Sequence, residues 1–84
     1  MLFDYQYKKL INQADDIYDL SRNLDSEISR LENLLERIKR EWYGPASTAF
    51  QKQLIVLIAD MKTTRKNMSS LSTTIKNKAN KLRG

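Results

Sequence analysis

Through the first half of the chain apolar residues recur at alternating steps of three and four: Phe3, Tyr7, Leu10, Ala14, Ile17, Leu24, Ile28, Leu31, Leu35, Ile38 and Trp42, with Ser21 the one polar member of the stripe. No Gly or Pro interrupts it. A stripe of that spacing is buried only by another helix lying along it, so the pattern demands lengthwise helix packing and gives a sheet no alternating face to use. The spacing predicts a helix over about residues 4–41, roughly 57 Å long at 1.5 Å per residue. That length is incompatible with a compact small globule and predicts a rod.

Turn formers gather once, in Trp42-Tyr43-Gly44-Pro45-Ala46-Ser47. Gly tolerates the backbone angles that end a helix, and Pro suits the first position of the next one, where its missing N–H is not needed. A turn at 42–44 is followed by a second periodic run, Phe50, Leu54, Leu57, Met61, Thr64, Met68, Leu71, Ile75, Lys78 and Leu82, which predicts a second helix over about residues 45–82. Two helices of near-equal length joined by so short a connection lie antiparallel. The fold class read from the sequence is all-α, an antiparallel two-helix hairpin forming one domain over residues 1–84.

With 84 residues, such a hairpin buries only about 60% of the surface its unfolded chain exposes. Association with a partner into a helical bundle is therefore expected. The segment Leu54-Ile55-Val56-Leu57-Ile58-Ala59 is apolar around the whole helix circumference, more than one neighbouring helix covers. Ile55 and Ile58, with Leu34 and Leu20 on the first helix, are the expected partner interface. Toward the end of the second helix Thr63, Thr64, Ser69, Ser70, Ser72, Thr73 and Thr74 lower helix propensity, so that stretch is expected to fray without a partner.

Little chemistry is available to this composition. No Cys and no His are present, which removes thiol and imidazole catalysis and the usual zinc and iron ligands. Asp15, Asp16, Asp19, Glu32 and Glu36 fall off the seam, on solvated faces that offer neither the burial nor the tight partner a carboxylate needs to work as an acid or base. Asp4 with Lys8 and Glu36 with Arg40 have the i, i+4 order that supports a helix. No glycine-rich phosphate loop occurs, and neither cofactor, metal nor enzymatic activity is expected.

The net charge of +5 hides an asymmetry. Residues 1–41 carry 7 basic and 9 acidic side chains, residues 42–84 carry 8 basic and 1 acidic. After Asp60 no acid appears, which makes Lys76, Lys78 and Lys81 a basic face. Nucleic acid is a poor match, since no aromatic follows Phe50 to stack on bases and no helix-turn-helix or basic-zipper arrangement precedes the basic stretch. An acidic protein surface fits better. The start, MLFDYQYKKL, lacks the basic region, apolar block and cleavage site of a Sec signal peptide, and no segment is long and apolar enough to span a membrane.

Trp42-Tyr43-Gly44, set between two amphipathic helices of a chain this short and followed by Ala46, Ser47, Ala49 and Phe50, resembles the WXG family of small, ESAT-like type VII secretion proteins. The resemblance implies a non-enzymatic helical hairpin that forms a homodimer or heteromer and leaves the cell by a Sec-independent type VII pathway after a cytoplasmic stage. It implies that Trp42 and Gly44 shape a recognised end. In that family the Trp-x-Gly turn of one protomer lies near a C-terminal Tyr-x-x-x-acid motif of its partner. Here the stretch from Lys76 to Gly84 has neither aromatic nor acid. The version that fits is an accessory partner, binding another WXG-type protein or the helical domain of a larger LXG toxin that supplies the tail motif. A generic coiled-coil adaptor, its turn tripeptide a coincidence, is the alternative from another class.

Overall fold

The computed structural model describes residues 2–83, with side chains from Asp4 onward; the side chain of Phe3 and the whole of Gly84 lie outside the described part. Helix α1 runs Leu2–Glu41 and helix α2 runs Pro45–Arg83. They lie antiparallel along their whole length, as a rod with extents of 64 × 15 × 12 Å. Among the described residues there is no strand. The all-α hairpin expected from the two periodic runs is what the chain forms.

On α1 the stripe packs as its spacing requires. Ala14, Ser21, Ile28 and Leu35 are buried, and Tyr7, Leu10, Ile17, Leu24, Leu31 and Ile38 are half-buried between them. Trp42 follows the last turn of the helix and is 43% exposed.

On α2 the seam differs from the expected one. Leu54, Met61, Met68 and Ile75 face α1, but Leu57 and Leu71 are about half exposed and Thr64 and Lys78 are exposed. The positions between the inward ones are filled by Ile58, Ser72 and Ala79, each the next residue along. From Leu54 the seam advances four residues to Ile58 and then three to Met61, rather than three and then four. Both steps offer an apolar side chain, so hydrophobicity alone leaves the choice open. At Ser72 against Leu71 the small residue wins, because the two backbones approach closely there. Ser72 Oγ donates to the carbonyl of Ala14 across the seam at 2.8 Å, a bond a bulky side chain at either position would prevent.

The core consequently has two characters. Near the turn, Ile28, Leu35, Leu54 and Ile58 form an aliphatic cluster with Leu24, Leu31, Leu34, Ile38 and Met61 packed on it. Toward the open end the buried residues are Ala14, Ser21, Ser72 and Ala79. Helix-axis separation follows side-chain size, so the rod is tighter where these small residues meet.

The Ser/Thr-rich stretch of α2 is continuous helix to Arg83. The hydroxyls of Thr64, Thr73 and Thr74 donate to the carbonyls of Asp60, Ser69 and Ser70, four residues back, satisfying themselves within the helix.

Candidate protein-binding surface

The turn is built by backbone conformation and one buried hydroxyl. Gly44 has φ +117°, and a Cβ there would meet no atom within 4 Å, so glycine is required for conformation and not for space. Ser47, in the first turn of α2, is 1% exposed. Its Oγ donates to the Trp42 carbonyl at 2.7 Å and accepts from Gln51 Nε2 at 3.0 Å. This hydroxyl satisfies a carbonyl that the end of α1 leaves without a helical partner, tying the two helices together. In the sequence Ser47 stands as one small residue among several. The signal that would have found it is a hydrogen-bonding residue three places past the turn glycine.

Trp42 and Phe50 pack ring to ring across the turn, with centroids 5.9 Å apart and planes tilted by 52°. Neither ring is buried, and Tyr43 beside them is 79% exposed, its hydroxyl bonded to the Arg40 carbonyl. The rod therefore ends in an exposed aromatic tip held by a rigid turn.

The two long flanks of the rod differ chemically. On one, three ion pairs cross from α2 to α1: Lys62 to Glu32 at 3.2 Å, Arg65 to Asp25 at 2.6 Å and Lys76 to Asp15 at 3.0 Å. On the other, Phe50, Leu57 and Leu71 stand seven residues apart or multiples of seven, hence on one line along α2, all between 42% and 50% exposed. On α1, Leu20 and Leu34 stand fourteen apart on the side of the seam away from Asp25 and Glu32. The Arg83–Tyr7, Lys76–Asp15 and Arg65–Asp25 contacts set a register that brings Leu71 level with Leu20 and Leu57 level with Leu34. One flank is thus ion-paired, the other an apolar band.

The expected partner interface is split by this geometry. Leu20 is 55% exposed and Leu34 partly buried against the aliphatic cluster, both on the apolar flank. Ile55 is 48% exposed but lies on the ion-paired flank, sharing a shallow groove with Glu32, Ile58 and Lys62. Ile58 belongs to neither flank: at 6% exposure it is core, because the four-residue step from Leu54 turns it onto α1. Of the apolar residues 54–59, Leu54 and Ile58 are buried while Ile55, Val56 and Leu57 stay at least 48% exposed.

The basic face is likewise divided. Lys62, Arg65 and Lys76 are paired with acids of α1, so part of the charge asymmetry between the halves is neutralised inside the hairpin. Glu36 pairs with Lys39 at 3.4 Å and not with Arg40. Lys78 and Lys81 join Leu10, Ile75 and Leu82 in lining an apolar groove of about 480 Å³ at the open end. Among the described residues no group of three metal-ligating side chains comes together, and no helix is long and apolar enough to cross a membrane.

The model of the WXG100 family, described as proteins of 100 residues with WXG, matches residues 2–84. Neither a curated protein nor a solved structure matches significantly.

Proposed function

Because the chain belongs to the WXG100 family, small helical proteins associated with type VII secretion, we propose that it is a component of that pathway which works by binding another protein and carries out no chemistry. The observation that supports this most is where the family's motif falls in the structure. The family match runs over residues 2–84, and the tripeptide that gives the family its name, Trp42-Tyr43-Gly44, sits at the one turn of the rod with its indole 43% exposed. A tryptophan serving only as a core plug would be buried; this one offers a rigid aromatic edge to a partner.

In this reading the tip is the recognised end, the apolar flank carries the partner, and the chain is a secreted protein or the targeting partner of a larger secreted toxin. The helical domain of an LXG-type toxin and another WXG-type hairpin are the two partner classes considered, each giving a bundle of more than two helices. Export proceeds through a Sec-independent type VII pathway from a cytoplasmic pool.

The test is Trp42→Ala, followed in parallel for melting, partner binding and secretion. Loss of stability should stay below the about 3 kcal/mol of a fully buried tryptophan, while export fails. Export that falls only in proportion to residual stability would remove the recognition role of the tip. Unchanged export of a folded variant would do the same.

A further inference from the structure

Seven residues beyond Leu71, the exposed line through Phe50, Leu57 and Leu71 reaches Lys78 and the groove at the open end of the rod. We infer that this groove is a binding site for a monomeric anionic single-chain amphiphile, of the class of a long-chain fatty acid. Its chain lies on Leu10, Ile75 and Leu82, and its carboxylate meets Lys78 and Lys81. The inference concerns a ligand of this chain's own and depends neither on secretion nor on a protein partner.

The groove holds the two chemistries such a ligand needs. Leu10 of α1 and Ile75 and Leu82 of α2 give it an apolar floor, and Lys78 and Lys81 complete the lining. None of the three apolar residues is fully buried, so each still has surface that a hydrocarbon chain removes from water. At about 480 Å³ the groove is the size of a small-molecule site, roughly 300–1,000 Å³. Ile75 to Leu82 covers about 10 Å of helix, which suits an extended chain better than a compact ring.

The position of Lys78 is the second observation. It stands on the apolar line itself, three residues past Ile75 and four before Leu82, where the period calls for an apolar side chain. Lys81 and Arg83 occupy the last turn of α2, where cations meet the helix's unpaired carbonyls; that effect fades within one turn and does not account for Lys78. Lys62, Arg65 and Lys76 are held by acids of α1, whereas neither Lys78 nor Lys81 is in an ion pair among the described residues. An apolar helix laid over the groove would leave these ammonium groups without a counter-charge. An anionic amphiphile brings the counter-charge with it.

The surroundings carry the matching sign. Over residues 2–14 the one acid is Asp4, against Lys8 and Lys9, and from Asn77 to Arg83 there is none. Asp15 is taken by Lys76 at 3.0 Å, and Asp4 lies with Tyr7, Lys8 and Arg83 around a separate groove. The local field therefore attracts an anion and repels a cation carrying the same chain.

Dodecanoate below its micelle concentration is the probe, titrated into the full chain and followed by calorimetry and amide NMR. One equivalent should bind, with shifts centred on Leu10, Ile75, Lys78 and Leu82. Each CH₂ removed from the chain should weaken binding by up to about fourfold. Dodecyltrimethylammonium should bind far more weakly. Lys78→Gln with Lys81→Gln should weaken dodecanoate binding by about tenfold at unchanged helix content, since both side chains are exposed. Equal binding of the two amphiphiles, or equal binding of dodecanoate by the parent and the double variant, would overturn the inference. Shifts spread along Leu57 and Leu71 would overturn it as well, by showing unspecific coating of the rod. So would adsorption to phosphatidylglycerol vesicles without binding of monomeric dodecanoate, or no binding to either. None of these outcomes touches the export phenotype of Trp42→Ala, which judges the proposed function separately.

Discussion

The half of the hairpin beside the turn and the half at its open end pack the same pair of helices by opposite means. Beside the turn Ile28, Leu35, Leu54 and Ile58 interdigitate as branched aliphatic side chains, and stabilisation comes from the apolar area they remove from water. At the open end Ala14 and Ala79 are fully covered and Ser21 and Ser72 nearly so, but they have little side chain to bury. There the gain comes from backbone proximity, with one hydroxyl bonded across the seam and Arg83 lying over the Tyr7 ring at 4.8 Å. The difference teaches that complete burial and large hydrophobic stabilisation are separate quantities. A fully covered alanine helps set the distance between helices, whereas a covered isoleucine supplies the free energy that holds them.

If that contrast is right, truncation should harm the turn half and enlargement the open half. Leu54→Ala or Ile58→Ala, followed by denaturant unfolding, should cost about 2–5 kcal/mol. In so small a chain that is enough to unfold the hairpin at ordinary temperature. A loss under 1 kcal/mol would mean that the cluster is not where stability resides. Ala14→Leu should cost about 1–3 kcal/mol by overpacking. Hydrogen exchange should show the damage confined to the open half, and uniform loss of protection would dissolve the distinction.

Smaller effects sharpen the comparison. Ser72→Ala removes the cross-seam bond without changing the packing distance and should lower stability by about 0.5–1.5 kcal/mol, read by thermal melting. A larger loss would mean the hydroxyl sets the register as well. Arg65→Ala, which deletes the shortest of the ion pairs crossing the rod, should cost only about 0.2–1 kcal/mol because both partners are roughly half exposed. That cost should disappear in molar salt. Persistence at high salt would point to packing by the arginine stem beside the aliphatic cluster.

Much of the fold was legible. On α1 each expected seam position from Tyr7 to Ile38 faces α2, because the stripe is unbroken in period over that length while Leu20 and Leu34 beside it are isolated leucines. Gly44 and Pro45 announced the turn, since few other residues serve a positive-φ junction followed at once by a helix start. The α2 seam was half legible. Leu54, Met61, Met68 and Ile75 stand where the period puts them, whereas Ile58 and Ser72 occupy the seam in place of Leu57 and Leu71. Hydrophobicity ranks leucine above serine, and only the 2.8 Å bond between Ser72 and Ala14 shows that proximity outranked it. For the binding surface, Leu20 and Leu34 share a flank but Ile55 does not, a distinction that depends on which side of the seam the ion pairs take.

By itself, then, the sequence determined two long helices, one turn, their antiparallel arrangement and the elongated shape, because each follows from local periodicity and from the angles that Gly and Pro permit. The tertiary structure decided which side of α2 meets α1. With apolar residues at both the three- and four-residue steps from Leu54, either rotation of the helix buries a stripe. The choice belongs to the pair: only when α1 presents Ala14 and Ser21 does the rotation with Ser72 and Ala79 inward bring the backbones close enough for contact. That one rotation also leaves Phe50, Leu57 and Leu71 as an exposed band and Ile58 as core, so the surface available to a partner is set by packing inside the hairpin.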